Sequence, residues 1–258
     1  MIPKTIHWCW FGRGKKTPLV ERCVASWRKY LPGWTIKEWN EDNFDVHCNK
    51  YVEEAYQNKK WAFVTDYVRV YALYHEGGVY MDSDVEVLKP LDPFLSFPAF
   101  TGRESANGSL TGTMGSEKGG QWVKDLLDDY SNRRFVKSDG SFDLTTNVEY
   151  CDQRMKPFGL TYDDVEFEVP GYVKIFKQEV FCPKSWKDRS YAVTENSYTI
   201  HHFSTTWHSP RSQFVNGVRD RFGVWPAKIV SGLCDRPDRV LLRILKFPLK
   251  YLFQLRGN

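Results

Sequence analysis

The sequence predicts an α/β fold, a doubly wound and mostly parallel sheet with flanking helices. Two observations support this class. The chain opens with the order strand, loop, helix and strand, and a later helix runs directly into an apolar strand that ends at Met81. This order is typical of parallel sheets, because parallel neighbours need a crossover connection. At 258 residues the chain has the length of one such domain.

The opening unit is predicted from local signals. Residues 2–11 are rich in β-branched and aromatic side chains and lead into Gly12, which indicates a buried strand followed by a loop. Thr17 and Pro18 then supply a helix cap and a first helical position, and apolar residues follow at helical spacing. A short strand at residues 35–39 completes the unit.

The second helix is predicted at residues 61–75, where aromatic and aliphatic side chains recur on one face and a Gly-Gly pair follows. It leads into the apolar strand 79–81, which ends at Asp82 and Asp84. Open α/β sheets bind ligands beyond the carboxyl ends of their strands. We therefore expect the two aspartates to lie at a ligand site.

The later part of the chain gives weaker signals. Residues 100–150 are predicted to form loops with one helix near residues 121–130. Short strands are predicted at residues 165–169, 173–176 and 198–203. We expect the loops to form the acceptor side of the site.

Composition narrows the class of protein. Hydrophobic residues make up 41% and charged residues 26%, which is typical of a globular protein. The net charge of +4 is spread along the chain, which argues against nucleic acid as a partner. The 6 cysteines form no CxxC pair, and the chain shows neither a signal peptide nor a run of about 20 apolar residues. A reduced, cytoplasmic protein is expected.

Asp82 and Asp84 form a D-x-D pair at the end of the predicted strand. Carboxylate oxygens and substrate phosphates are the ligands that Mg²⁺ and Mn²⁺ prefer. A divalent cation held there neutralises the charge that develops on a departing diphosphate. A polar turn between two strands is the alternative, since a D-x-D pair alone is a weak signal.

Asp66 and Arg69 form an i,i+3 pair on the second helix. Such a pair is usually a solvated ion pair. Here the neighbouring residues Phe63, Tyr67 and Val70 are apolar, so the pair is expected to be partly buried. Burial of two charges indicates a functional role.

Together these residues resemble a known family. The resemblance rests on Ile6, His7, Trp10, Phe11 and Gly12, on residues 61–69, and on residues 77–85. These motifs resemble the DXD-containing glycosyltransferases, which include bacterial capsular-polysaccharide transferases and fungal initiating α-1,6-mannosyltransferases, and which are similar at greater distance to the glucosylating clostridial toxins. The match is dense over residues 1–95 and thin afterwards.

The resemblance implies a GT-A fold and the transfer of a hexose from a nucleotide-sugar donor to a saccharide acceptor in surface polysaccharide or glycan synthesis. It also implies Mn²⁺ or Mg²⁺ as cofactor and retention of the anomeric configuration. By the same analogy the nucleotide is UDP. No catalytic nucleophile is visible in the sequence, and many retaining enzymes of this type are thought to need none.

The resemblance assigns roles to individual residues. Trp10 is similar to a tryptophan that stacks on the donor base, and a core tryptophan is its alternative. Asp66 and Arg69 resemble residues that grip the donor sugar and its ribose or phosphates, and Asp82 and Asp84 resemble the metal-holding pair. These four form the predicted catalytic group.

Five further residues complete the predicted site, and a structural role is the alternative for His7. The full set of additions is His7 and Trp207 as donor-binding residues, His202 as a metal ligand, and Glu104 and Asn147 as acceptor-side candidates. Late in the chain His201 and His202 precede Trp207, which resembles the closing H-x-x-x-x-W element of related enzymes. We favour His202 as the ligand, with a core-facing His201. Ordinary loop polarity explains Glu104 and Asn147 as well.

The predicted domains are a catalytic domain at residues 1–237 and a basic amphipathic tail at residues 238–258. In the tail, cationic side chains alternate with apolar ones, which is typical of helices that lie on an anionic membrane surface. A helix packed on the core, or a dimer contact, is the alternative. A membrane anchor would place the enzyme on the inner face of the cell membrane, beside a lipid-linked acceptor.

Two other classes of function use the same residues. A metal-dependent phosphohydrolase or nucleotidyltransferase also needs Asp82 and Asp84, but it gives no account of Trp10, Asp66 and Arg69. A catalytically silent carbohydrate-binding protein would use the aromatic residues as stacking platforms.

Overall fold

The computed structural model describes residues 1–105, 112–204 and 210–235. The strands are β1 (Thr5–Cys9), β2 (Thr35–Trp39), β3 (Gly78–Met81), β4 (Val85–Val87), β5 (Ala99–Gly102), β6 (Thr113–Ser116), β7 (Phe167–Val169), β8 (Val173–Phe176) and β9 (Thr199–His201). The α-helices are α1 (Pro18–Tyr30), α2 (Lys50–Gln57), α3 (Trp61–Glu76), α4 (Gln121–Asp128), α5 (Asn147–Met155), α6 (Gln178–Phe181), α7 (Pro210–Phe222) and α8 (Val224–Asp235).

Seven of these strands form one mixed sheet in the order β2-β1-β3-β6-β5-β8-β7. β1 is parallel to both β2 and β3, and β5 is parallel to β8. β6 lies antiparallel between β3 and β5, and β7 is antiparallel to β8. Thus β2, β1, β3, β5 and β8 run one way and the other two strands run the opposite way. The predicted mostly parallel sheet is confirmed.

Helices cover both faces of this sheet. Successive strand residues point to opposite faces, so β3 contributes to two cores. Tyr80 packs into the cluster that contains α3, and Val79 and Met81 pack into the cluster that contains α1. Val64 of α3 and Trp27 of α1 are fully buried in these two cores. The doubly wound arrangement is therefore present.

The first two predicted helices are confirmed together with their ends. The Thr17 hydroxyl accepts a hydrogen bond from the Val20 amide at 3.3 Å, which caps α1. α3 ends at Gly77, whose φ is +69°. A Cβ at Gly77 would lie 2.7 Å from the backbone nitrogen of Lys118. Glycine is therefore required where α3 turns into β3.

The prediction of loops across residues 100–150 is wrong in part, because β5, β6 and α5 lie there. The two strands have four residues each and carry glycines. A Cβ at Gly102 would lie 2.5 Å from the Phe181 ring, and one at Gly115 would overlap the Phe100 ring. These glycines allow close packing inside the sheet, whereas in a sequence they indicate loops.

A small second sheet joins two distant segments. β4, just after the D-x-D pair, is antiparallel to β9, and Val85 lies opposite His201. The predicted strand at residues 198–203 is confirmed at its centre. This pairing carries the two adjacent histidines to the segment that follows the aspartates.

The chain divides into two compact units by its internal contacts. The first comprises Met1–Trp186 and Ser190–Phe203 and contains both sheets. In the second, α7 packs against α8. Across the described ranges we find no helix that combines the length and the apolar character needed to cross a membrane. The tail at residues 238–258 lies outside the described residues, so its predicted boundary stays a prediction.

Candidate functional site

Several strand ends meet at one edge of the main sheet. β3 ends at Met81, one residue before Asp82, and β5 ends two residues before Glu104. Because β3 and β5 run in the same direction, Asp82 and Glu104 both lie beyond the carboxyl ends of their strands, at the same edge of the sheet. The Asp82 amide donates to the Gly112 carbonyl at 3.0 Å, at the start of antiparallel β6. This edge is the candidate functional site.

One guanidinium joins the two predicted acidic groups. Nη2 of Arg69 lies 3.0 Å from Asp66 Oδ1 and 3.2 Å from Asp82 Oδ1. The Tyr80 hydroxyl donates to the same Asp82 oxygen at 3.0 Å, and the guanidinium lies 4.7 Å from the Tyr80 ring centroid. Asp66 and Arg69 are buried, as their apolar neighbours predict. The structure brings these predicted residues together.

Asn147 donates hydrogen bonds to Asp66, whose other carboxylate oxygen contacts Arg69. The Asn147 amide, at the start of α5, donates to Asp66 Oδ2 at 3.2 Å, and its side chain donates to the Asp66 carbonyl at 3.1 Å. Asn147 is 2% exposed. Its contacts therefore link α5 to α3, and they give no support to an acceptor-side role.

His201 lies among the carboxylates of the site. Its Nε2 is 3.3 Å from Asp84 Oδ1 and 3.8 Å from Asp82 Oδ2. Its Nδ1 is 2.8 Å from Glu104 Oε1. His201 thus connects the D-x-D pair to an acidic residue on another strand end.

The structure corrects the choice of His202 as the histidine that faces the aspartates. The His202 Nε2 instead lies 2.8 Å from Glu86 Oε2, and its backbone amide donates to the Asp84 carbonyl at 3.0 Å. Neighbouring residues of a strand point to opposite sides, so only one of the two histidines can face the D-x-D pair. The register of β9 gives this place to His201.

Burial and charge shift the pKa values in the site. Burial raises the pKa of Asp82 to about 6, against the opposing effects of Arg69 and His201. Burial also raises the pKa of Asp66, while Arg69 acts to lower it. For His201 burial lowers the pKa, but the carboxylates of Asp84 and Glu104 outweigh it, and the pKa is raised. The carboxylates around His201 thus stabilise positive charge at the position of its ring.

His7 does not face this site, which corrects its assignment to the donor-binding group. It is fully buried, and its Nε2 lies 2.7 Å from the Gly77 carbonyl. The Trp39 indole donates to its Nδ1 at 3.1 Å, so Nε2 carries the proton and donates to Gly77. Burial lowers the pKa of His7. His7 therefore has the structural role that the sequence left as the alternative.

Trp10 follows β1 at the same sheet edge as the aspartates, because β1 and β3 are parallel neighbours. Its ring is half-buried, and its Nε1 donates to the Gly14 carbonyl at 2.7 Å. Part of the ring thus stays accessible. Trp207 lies outside the described residues.

The chemistry of the edge fits a divalent cation. One ligand atom each from Asp82, Glu104 and His201 lie within 4.8 Å of one another. At Gly112 a Cβ would lie 2.8 Å from His201 Nδ1 and would overlap Glu104 Oε1, so the absent side chain makes room for the cluster. Carboxylate oxygens with one imidazole nitrogen suit Mn²⁺ or Mg²⁺.

The comparison with protein families agrees with this geometry. Residues 17–101 match the model described as "Glycosyltransferase sugar-binding region containing DXD motif". This part of the chain is therefore similar to the sugar-binding region of the DXD glycosyltransferases. This confirms the resemblance drawn from the three motifs, two of which lie within the matched residues. The DXD region includes α3, Asp82 and Asp84, whereas Glu104 and His201 follow it.

Curated fungal proteins also match part of the chain. Inositol phosphoceramide mannosyltransferase 3 of Schizosaccharomyces pombe is 29% identical over 46% of this chain and 34% of its own length. Mannosyl phosphorylinositol ceramide synthase SUR1 of Saccharomyces cerevisiae is 39% identical over 45% of this chain and 31% of its own length. The chain thus spans about a third of the length of these curated relatives.

Solved glycosyltransferase structures also align with the chain. The PaToxG glycosyltransferase is 17% identical, with a TM-score of 0.40 over 49% of this chain and 59% of its own. A glycosyltransferase involved in the glycosylation of the major capsid of PBCV-1 is 14% identical, with a TM-score of 0.39 over 68% of this chain and 83% of its own.

Proposed function

We propose that this protein is a retaining, metal-dependent glycosyltransferase that moves a hexose from a UDP-sugar to a saccharide hydroxyl in surface polysaccharide or glycan synthesis. The observation that carries the proposal is the bridge of Arg69 between Asp66 and Asp82. It links a buried carboxylate suited to sugar hydroxyls with a carboxylate suited to a cation. The fungal relatives, which are named as mannosyltransferases, support transfer of a hexose.

Asp82, Asp84 and His201 are proposed to hold Mn²⁺ or Mg²⁺. When bound, the ion neutralises the charge that develops on the departing diphosphate. His201 takes the place that the sequence gave to His202, because its Nε2 faces both aspartates.

Asp66 and Arg69 are proposed to position the donor. An ionised carboxylate accepts hydrogen bonds from two neighbouring sugar hydroxyls, and a guanidinium donates to phosphate or ribose oxygens. Their burial keeps water from competing for these hydrogen bonds, since each is at most 9% exposed. Trp10 offers a ring face for the uracil base.

The proposed reaction exchanges one bond at the anomeric carbon of the donor sugar. The bond between this carbon and the diphosphate oxygen breaks, and its electron pair leaves with the diphosphate. A bond then forms to the acceptor hydroxyl oxygen on the same face of the sugar, and the hydroxyl proton passes to the departing diphosphate. No protein nucleophile is required by this balance.

We further propose a lipid-linked saccharide as the acceptor, with the protein in the cytoplasm and peripheral on the inner face of the membrane. The basic amphipathic residues 238–258 would hold enzyme and acceptor on one surface. The fungal relatives are named for inositol phosphoceramide, which is consistent with a lipid acceptor.

The central test is donor binding and sugar transfer with and without the metal. The protein is incubated with Mn²⁺ and a panel of nucleotide sugars, and mass spectrometry identifies the products. We expect transfer from a UDP-hexose that EDTA abolishes. Replacing Asp82 and Asp84 by Asn is expected to lower kcat by at least about 100-fold, because the charge on the leaving group is no longer neutralised.

Asp128→Asn, whose carboxylate on α4 is 55% exposed, is the matched control and is expected to keep full activity. Phosphate release without sugar transfer would instead identify a phosphohydrolase. Donor affinity that is equal with and without EDTA would contradict the metal site.

A further inference from the structure

Glu104 is the buried acidic residue of the site that the D-x-D motif does not include. It follows β5, and its side chain is 11% exposed. Its Oε1 lies 2.8 Å from Nδ1 of His201. Because a carboxylate only accepts, Nδ1 must carry the proton in this contact. The hydrogen bond therefore fixes how the ring is turned.

The other nitrogen of the same ring faces the D-x-D pair. His201 Nε2 lies 3.3 Å from Asp84 Oδ1 and 3.8 Å from Asp82 Oδ2. With Nδ1 on Glu104, the lone pair of a neutral ring lies on Nε2 and points to the position where the aspartates would share a cation. Histidines that bind metals commonly donate their second ring nitrogen to a carboxylate in this way.

Gly112 gives an independent reason to regard this contact as built into the fold. A Cβ at Gly112 would overlap Oε1 of Glu104 and would lie 2.8 Å from Nδ1 of His201. Both atoms of the hydrogen bond thus occupy the space that any side chain would take. The turn before β6 accommodates the pair only with glycine at this position.

The backbone on the other side of Glu104 is also held firmly. Arg103 is fully buried and donates from Nε to the Val165 carbonyl and from Nη1 to the Thr161 carbonyl, each at 3.0 Å. Its amide donates to the Phe176 carbonyl at 3.1 Å. These contacts fix the end of β5, so Glu104 is presented to His201 from a rigid strand end.

We propose that Glu104 is a positioning residue of the metal site. Its carboxylate accepts a hydrogen bond from the Nδ1–H group of His201, and this orients Nε2 as a ligand to the divalent cation. This inference depends on the proposed metal site. Although a carboxylate oxygen of Glu104 lies in the cluster with Asp82 and His201, its Oε1 is engaged by His201 Nδ1, so in this proposal Glu104 acts through His201. Its carboxylate also adds negative charge beside the site, which strengthens the attraction of the imidazole for a cation.

Calorimetry with MnCl₂ on the full chain, without donor, measures the inference directly. Glu104→Ala is expected to weaken Mn²⁺ binding by about 10-fold to 100-fold, the usual effect of losing such a partner. Glu104→Gln is expected to lose less Mn²⁺ affinity, because its amide oxygen can still accept a hydrogen bond from Nδ1–H. Gly112→Ala is expected to weaken binding as well, since it displaces Glu104 without altering any charge.

Gly217→Ala is the matched control, because a Cβ there meets nothing within 4 Å. Thermal unfolding without metal verifies that each variant is folded. Pulsed EPR adds a signature that a merely structural residue would not change. The nitrogen coupling of His201 to bound Mn²⁺ should disappear in His201→Ala and weaken in Glu104→Ala.

Three outcomes would overturn the inference. Equal Mn²⁺ affinity of Glu104→Ala and the original chain would remove Glu104 from the site. An equally large loss in Glu104→Gln and Glu104→Ala would make Glu104 a direct charged ligand. If the original chain itself bound no Mn²⁺, the proposed metal-dependent function would fail first. If Glu104→Ala did not fold, the Mn²⁺ affinities of Glu104→Gln and Gly112→Ala would test the inference, and affinities equal to that of the original chain would overturn it.

Discussion

Asp66 shows how one buried carboxylate can be both costly and useful. Its burial raises its pKa, and Arg69 and the Asn147 amide offset part of the cost. A carboxylate held in this way has fixed acceptor directions. Such a group recognises hydroxyls by geometry, since the protein has already ordered it before the donor arrives.

Replacing Asp66 by Asn tests this at a single residue. The shape and the acceptor for the Asn147 amide are kept, but the negative charge is lost. We expect kcat/KM for sugar transfer to fall by about 10-fold to 100-fold, the effect of one charge-assisted hydrogen bond. The Tm should change little. Steady-state kinetics and thermal unfolding measure both effects.

Asp128→Asn is the control for that experiment, because this carboxylate on α4 is 55% exposed. It should leave the kinetics unchanged. Full activity in Asp66→Asn would remove Asp66 from the donor site.

The site residues differ in how well the sequence predicts them. Asp66, Arg69 and Asp82 were predicted to share a site because each lies on or beside an element with a clear signal, and the structure brings them together. The choice between His201 and His202 depends on which side of β9 faces the aspartates, and sequence does not give this register. Glu104 was missed as a member of the cation cluster because β5, which ends two residues before it, gave no strand signal.

At the scale of elements, α3 and the turn after it set the position of the site. The helix carries Asp66 and Arg69, and Gly77 turns the chain directly into β3, which ends one residue before Asp82. Gly77 has φ +69° and ψ 178°, a region that is essentially restricted to glycine. The distance between the two halves of the site therefore depends on this one turn.

Gly77→Ala is expected to destabilise the fold by about 3 kcal/mol, from backbone strain together with the overlap of its Cβ with Lys118 and Pro3. Gly33→Ala is the matched comparison, because Gly33 also has a positive φ but has nothing within 4 Å of the added Cβ. It should cost about 1 kcal/mol. Urea unfolding gives both values. Equal losses would show that strain alone matters at Gly77.

Long elements with clear caps were predicted well, and short ones were not. α1 was predicted from its Thr-Pro start, α3 from the Gly-Gly pair at its end, and both from residues at helical spacing. β5 and β6 have four residues each and contain glycines that pack against Phe181 and Phe100. Their strand character comes from partners on either side in the sheet, and a single sequence does not display these partners.

At the scale of the whole molecule, the last residues of the given sequence alternate cationic and apolar side chains. Residues 238–258 contain the cations Arg239, Arg243, Lys246, Lys250 and Arg256 among leucine, isoleucine and phenylalanine residues. Each such cation near an anionic bilayer contributes about 1 kcal/mol. The tail alone would thus supply enough attraction for reversible binding.

Deleting residues 238–258 tests the membrane proposal. The full chain is expected to float with anionic vesicles in a density gradient, and the shortened chain is expected to stay at the bottom. Vesicles of neutral lipid are the control, and 0.5 M salt should release the full chain, since it screens the charges (a Debye length of about 4 Å). Unchanged flotation of the shortened chain would contradict the proposal.

The pairing of β4 with β9 has a consequence for how the enzyme is made. The two aspartates and their imidazole partner are separated by more than a hundred positions, so the carboxylates leave the ribosome well before the histidine does. Domains fold as their chain emerges, at about 5 to 20 residues per second. For several seconds the nascent protein therefore contains the two aspartates of the proposed metal site but not its histidine. Capture of an ion at the proposed metal site must therefore wait until β9 has been synthesised.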